Sequence, residues 1–149
     1  MQVYIMRGIP GSGKTTWAEA KRKESNLSRV CSADNFHIHL GVYKFDPAKA
    51  AAAHNGCLRN FLTELENNEC EMLFCDNTNT TAWEISPYYR LAEMFGHKPT
   101  IIQMHCPIEL ALTRNTHHVP TQTLMAMLQN MAFDRLPHHW NLELICGGI

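Results

Sequence analysis

The sequence predicts an α/β fold in which a parallel sheet is covered by helices on both faces. Two observations predict it. Strand and helix signals alternate along the chain, the pattern that parallel strands joined by crossover helices produce. The first strand, Val3-Tyr4-Ile5-Met6, also runs straight into Gly8-Ile9-Pro10-Gly11-Ser12-Gly13-Lys14-Thr15, a complete G-x-x-x-x-G-K-[ST] pattern set between a strand and a helix.

That pattern is a phosphate-binding loop. Its glycines let the backbone curl so that successive N–H groups point inward at phosphate oxygens. The start of the next helix, Thr16-Trp17-Ala18-Glu19-Ala20-Lys21, adds a positive dipole end to the same spot. Lys14 supplies a point charge for the phosphates, and the Thr15 hydroxyl is placed to ligate Mg²⁺. Gly8 through Thr16 are therefore the expected nucleotide contacts.

The remaining elements follow in order. The first helix is expected to reach about Lys23, and Arg29-Val30-Cys31 forms a short second strand. Asp46-Pro47 is a helix start, with Asp as cap and Pro in the first turn. Ala50, Ala53, His54, Cys57, Leu58, Phe61 and Leu65 then recur at helical spacing. Met72-Leu73-Phe74-Cys75 is the third strand. Thr81 and Glu84 have capping-box spacing for a helix that Gly96 ends. Thr100–Met104 is the fourth strand, Pro107–Thr113 a helix, and Pro120-Thr121 opens another. A last strand over Leu142–Ile145 is weakly signalled. No repeat or linker interrupts residues 1–149, which read as one domain.

In open α/β sheets ligands bind beyond the carboxyl ends of the strands. Ser32-Ala33-Asp34-Asn35 follows strand two, and Asp76-Asn77-Thr78-Asn79 follows strand three. A phosphoryl acceptor needs a carboxylate within hydrogen-bond reach of its hydroxyl. Asp34 is the candidate base, with a turn aspartate as the plainer alternative. Asp76, after four apolar residues, is the candidate Mg²⁺ helper. Asn77 and Asn79 either meet the acceptor or brace the two aspartates.

Arg114 lies near a helix end and is followed by Asn115-Thr116-His117-His118-Val119-Pro120 and another helix. A helix–loop–helix carrying a cation fits a lid over a nucleoside triphosphate. His117 and His118 are either lid donors, with His118 toward the nucleotide, or surface residues. Tyr43, Lys44 and Phe45 occupy the loop before the long helix, which could touch an acceptor strand. Trp17, Trp83 and Trp140 are expected to be packing anchors.

Bulk properties bound the partners. Of the 149 residues, 45% are apolar, enough for a normal core, and no apolar run approaches the ~20 residues of a membrane span. The six cysteines form no C-x-x-C pair, so buried free thiols in a reducing cytoplasm are expected. A net charge of −1 argues against a long nucleic-acid footprint and leaves room for a small groove. No His/Cys spacing matches a zinc site. Nothing in the sequence signals an oligomeric state.

Four segments together carry a family resemblance: residues 8–18 (GIPGSGKTTWA), 32–36 (SADNF), 76–79 (DNTN) and 114–120 (RNTHHVP). In this order and spacing they resemble the kinase domain of phage-type polynucleotide 5′-kinases. They are also similar to the related P-loop domain of 2′,3′-cyclic-nucleotide phosphodiesterase. The likeness covers about residues 3–132, and the last three segments select this branch among P-loop kinases.

The resemblance implies a three-layer P-loop kinase fold with a mainly parallel five-stranded sheet and a helical lid. It implies ATP-dependent phosphorylation of a 5′-hydroxyl end, with Asp34 as base, Lys14 and Arg114 on the phosphates, and Thr15 on Mg²⁺. The chain departs from the pattern on the acceptor side. His37 stands where the phage-type enzymes carry an arginine for the acceptor's 3′-phosphate, and His117 and His118 stand near their second lid arginine. Asp76 comes one residue before the family aspartate, which aligns with Asn77. A small-molecule, nucleoside or modified-base acceptor, or an ATP-binding module without catalysis, are the competing expectations. No His-x-Thr motif for phosphodiester chemistry occurs.

Overall fold

The computed structural model describes residues 1–147. Five strands form one sheet: β1 (Gln2–Arg7), β2 (Ser28–Cys31), β5 (Met72–Asp76), β6 (Thr100–His105) and β7 (Asn141–Cys146). Their order is β2-β5-β1-β6-β7, and each neighbouring pair is parallel. The weakly signalled last strand is real and extends the sheet beside β6. Among the described residues five α-helices complete the frame: α1 (Lys14–Arg22), α2 (Ala50–Asn67), α3 (Ala82–Met94), α4 (Ile108–Thr113) and α5 (Thr121–Phe133).

Alternation along the strands divides the core into two layers. Val3, Ile5, Leu73, Cys75 and Ile101 face one way and pack under Ala53, Cys57, Phe61 and Leu65 of α2 and Ile85, Tyr88 and Ala92 of α3. Met6, Phe74, Ile102 and Met104 face the other way and meet Ala18 and Trp17 of α1. Successive strand side chains point to opposite faces, so a strand covered on both sides must be apolar throughout. This explains the unbroken apolar runs of β1 and β5. A third small cluster of Ile9, Cys106, Ala111 and Leu124 joins the phosphate loop to α4 and α5.

Local signals in the sequence appear as bonds. The Thr81 hydroxyl accepts the Glu84 N–H at 3.3 Å, and the Glu84 carboxylate accepts the Thr81 N–H at 2.9 Å. The Asp46 carboxylate caps at Ala48 N–H, 3.0 Å, although the chain first makes a 3-10 turn (Pro47–Lys49) before α2. Trp17 and Trp140 pack as expected, Trp140 flat on Tyr89 at 4.7 Å. Trp83 does not: it opens α3 on the outer face and is 84% exposed. Five cysteines are buried thiols, and Cys146 is exposed.

The largest difference lies after β2. A 3-10 turn (Ala33–His37) leads into a hairpin of two-residue strands, β3 (Ile38–His39) and β4 (Val42–Tyr43), where the alternation of His37 and His39 suggested a strand or an extended loop. Gly41 turns the hairpin at φ 80°, a conformation that glycine adopts freely. Among the described residues no helix is long and apolar enough to cross a membrane.

Candidate nucleotide and acceptor site

Because β2, β5, β1 and β6 are parallel, their carboxyl ends open onto one edge, and the phosphate loop rises there between β1 and α1. The Gly8 N–H donates to Thr78 O at 2.9 Å, which ties the loop to the segment after β5, and the Ser12 N–H donates to Ile9 O at 3.1 Å. Gly13 sits at φ 96° and begins α1 with no side-chain cap, so the first helical N–H groups remain open to an anion. Gly11 sits at φ 80°, and a β-carbon there would overlap Ala111 O of α4. The loop is thus pressed against the lid's first helix.

Lys14 is buried, and its ammonium donates to Ile9 O at 3.0 Å. Burial lowers its pKa, while the neighbouring Asp76 and Asp34 charges oppose that shift. The Thr15 hydroxyl donates to Asp76 Oδ2 at 2.8 Å. Burial raises the Asp76 pKa against the pull of Lys14 and the Thr15 bond, and the Asp34 charge adds to the rise. Two hard oxygen groups beside a phosphate-binding loop fit Mg²⁺, which keeps several waters and takes its other ligands from substrate phosphates. Among the described residues no group of three or more His, Cys, Asp or Glu side chains could hold a metal by itself.

Asp34 sits in the first turn of the 3-10 segment after β2. That turn is capped by Ser32, whose hydroxyl accepts the Asp34 N–H at 3.3 Å. The Asp34 carboxylate is exposed, and the Tyr43 hydroxyl donates to it at 3.4 Å. The turn is pinned from β5: Asn77 Oδ1 accepts the Ala33 N–H at 2.8 Å.

Lys14, Thr15, Asp34, Asp76 and Arg114 line a single cleft of about 1140 Å³. Arg114 ends α4, where a cation is favoured by the helix dipole, and among the described residues it is in no ion pair. The loop after it is closed by one side chain. Asn115 donates its amide N–H to Val119 O at 2.6 Å and accepts the Val119 N–H at 3.0 Å. His117 and His118 are carried on this bracketed loop and also line the cleft, with His118 at φ 53°. The His117 ring lies on the Tyr43 ring with centroids 3.8 Å apart and an angle of 14°.

Three side chains expected at the acceptor are turned elsewhere. Asn77 touches the cleft wall, but its amide faces inward, with its nitrogen shared among Cys57 Sγ, Cys75 Sγ and the Tyr88 hydroxyl at 3.4–3.5 Å. Asn79, at φ 47°, donates to Met6 O at 2.8 Å and is buried. His37 is 6% exposed and packs on Phe45 at 4.9 Å and edge-on to Tyr43 at 6.2 Å. These residues brace the strand ends and the hairpin root. Asn77 holds the turn that bears Asp34, whereas Asn79 bonds neither aspartate.

Sequence reading missed two supports. Arg7, on β1, is buried and donates to Asn79 O, Thr80 O and Gln103 Oε1 at 3.2, 2.9 and 2.6 Å. It holds the segment after β5, and burial lowers its pKa. Asn115 was passed over as a lid residue. An arginine inside an apolar strand and an asparagine five residues before a proline-led helix were the available signals.

Comparison with known proteins places this architecture. The family model described as AAA domain (AAA_33) matches residues 3–133. The human NEDD4-binding protein 2 is 30% identical over 133 residues, covering 86% of this chain and only 7% of that protein's own length. Among solved structures, a chain of the Pnkp1/Rnl/Hen1 RNA repair complex superposes with a TM-score of 0.71 at 14% identity, over 89% of this chain and 44% of the other. A gluconokinase from Sinorhizobium meliloti 1021 superposes at 0.68 and 11% identity, over 99% of this chain and 83% of the other. At such identities the solved structures establish the fold alone. On the match across residues 3–133, the chain belongs to the AAA domain family AAA_33, and its parallel sheet with a loop-bearing first strand is a P-loop kinase-type fold.

Proposed function

We propose that the protein is a Mg·ATP-dependent kinase that transfers the γ-phosphoryl group to a 5′-hydroxyl end of a polynucleotide. The observation that carries this reading is the exposed Asp34 carboxylate in the same cleft as Lys14, the Thr15–Asp76 pair and Arg114. A binding module for ATP alone has no use for an exposed carboxylate in the same cleft as a lid cation. The four segments that resemble polynucleotide 5′-kinases support a polynucleotide acceptor.

In this reading the open N–H groups of the phosphate loop and the Lys14 ammonium hold the β- and γ-phosphates. The Thr15 hydroxyl and Asp76 would hold Mg²⁺, which when bound neutralises charge on the β- and γ-oxygens. Asp34 accepts the proton of the acceptor hydroxyl as that oxygen bonds to the γ-phosphorus and the bond from the γ-phosphorus to the β,γ-bridging oxygen breaks. ADP leaves with the bridging oxygen. Arg114 faces the equatorial oxygens, where transition-state charge resides.

A small hydroxyl acceptor is the second reading. The net charge of −1 and the burial of His37, which withdraws the side chain standing at the place of the acceptor-phosphate arginine, favour it. One experiment tests both readings: label transfer from γ-labelled ATP to 5′-hydroxyl DNA, RNA, mononucleotides, nucleosides and sugars, with Asp34→Ala as control. Labelled oligonucleotide ends are the expected result. A polynucleotide acceptor weakens steeply with salt, by about one order per order of salt for each phosphate contacted, whereas a salt-insensitive acceptor KM favours the small molecule. Tight ATP binding with no labelled hydroxyl among them would leave only the module without catalysis.

A further inference from the structure

We infer that the rings of Tyr43 and His117, stacked in contact in this structure, part as a slot for the aromatic base carried next to the reacting hydroxyl, so that the acceptor is a nucleoside-bearing end and not a bare polyol. The inference rests on the kinase reading above and names the chemistry of its acceptor.

The two rings come from separate parts of the fold, the β3–β4 hairpin and the loop between α4 and α5. They lie nearly parallel, 14° apart, with centroids at 3.8 Å. This stack is at the surface of the cleft, not in the core: His117 is exposed and Tyr43 only half-buried. The lid loop does not need it for shape, because Asn115 already closes the loop on Val119.

The Tyr43 ring is presented rigidly. His37 buttresses it edge-on and is itself backed by Phe45, and the Lys44 N–H donates to His37 O at 2.8 Å across the hairpin root. A flat, fixed aromatic face with few rotatable bonds suits stacking on a nucleobase, whatever its sequence.

Position decides the ligand. The Tyr43 hydroxyl donates to Asp34 Oδ1 at 3.4 Å, so its ring begins one hydrogen bond away from the carboxylate that meets the acceptor hydroxyl. A nucleoside holds its base one sugar away from its 5′-oxygen. With that oxygen at Asp34, the base falls on the Tyr43 face. His117 then lies on the base's outer side, and the lid moves outward by one ring thickness to admit it. The same bracketed loop begins at Arg114, so seating the base also sets the position of that cation over the donor phosphates. A sugar acid offers no flat ring for either face.

The test uses the full chain and two 5′-hydroxyl oligonucleotides that differ only at the terminal residue, one natural and one abasic. KM for each is measured by label transfer with the wild type, Tyr43→Leu, Tyr43→Phe and His117→Ala. The wild type is expected to favour the natural end by about five- to hundred-fold in KM, the range of one base–aromatic stack. The ratio should collapse toward one in Tyr43→Leu and His117→Ala and persist in Tyr43→Phe, which keeps the flat face. Equal KM values in the wild type, or an unchanged ratio in both truncations, would overturn the slot while leaving the kinase intact. A second measurement is independent of turnover: fluorescence anisotropy of the two labelled oligonucleotides with a non-hydrolysable ATP analogue. Tighter binding of the natural end supports the slot even if no transfer is seen, a result that would sink only the kinase reading. Equal binding, or none, overturns the slot.

Discussion

Asn77 ties the ends of two neighbouring strands together. Its side-chain carbonyl accepts the Ala33 N–H at 2.8 Å, so the first residue past β5 fixes the turn that bears Asp34. Asn77→Ala leaves that buried N–H without a partner, a loss of about 1–3 kcal/mol in stability. The turn then loosens, and kcat should fall while ATP affinity holds. Paired turnover and ATP-binding measurements, with chemical denaturation for stability, check this. An ATP affinity that falls in step with kcat would assign Asn77 to general structure and not to placing Asp34.

Asp34 itself is exposed, and its removal should leave the fold intact. Asp34→Asn is expected to lower kcat by about 10²–10⁴-fold, the usual share of a general base, with ATP binding and Tm unchanged. Near-normal transfer would remove Asp34 from the mechanism.

Asp76 is held above its ordinary pKa of 3.8, chiefly by burial. Such a carboxyl binds its proton more tightly in the folded chain than in the unfolded one. Ionising it therefore costs stability, a cost absent below the unfolded value and complete above the raised folded value. Asp76→Asn should consequently melt higher than the wild type at neutral pH while losing turnover. The difference should close as pH falls through the carboxylate range. Melting curves from pH 3 to 8, run beside activity assays, give the answer, and a variant that melts lower at pH 7 would contradict it.

Arg114 stands at the entrance of the bracketed lid loop. Arg114→Ala should reduce kcat by about 10³-fold or more, as loss of a transition-state arginine does. Arg114→Lys should recover little, because a point charge does not reproduce the planar fork. Stability should change little, since the side chain is exposed. Steady-state kinetics on both variants separate this from a surface role, for which neither change would matter.

Gly11→Ala tests the contact between phosphate loop and lid. The added methyl would overlap Ala111 O, and φ 80° is strained for alanine. A loss of about 1–3 kcal/mol and a weaker ATP affinity are expected, read by thermal melting and nucleotide titration. A variant with wild-type ATP affinity would show that α4 moves freely from the loop.

The parts legible in the sequence are those whose physics is local. The phosphate loop, the Thr81–Glu84 capping box and the Asp46 cap each depend on residues within a few positions of one another. The strands β1 and β5 announced themselves because burial on both faces demands unbroken apolar runs. β7 was faint because its residues are mostly exposed at the sheet edge, where composition is less constrained. His37 and Asn79 were harder to read. Their residue types suit a ligand or a turn equally, and only packing reveals that Phe45 and Met6 O engage them.

The Gly8–Thr15 loop, the α/β alternation and the set of strand-end carboxylates were therefore determined by the sequence itself, since each follows from neighbours along the chain. The tertiary structure alone decided that Asn77 reaches Ala33, that Arg7 holds the loop after β5, and that Tyr43 lies against His117 beside Asp34. Those pairs are distant in sequence. What unites them is the parallel sheet, which gathers the carboxyl ends of its strands, and everything attached to them, at one edge.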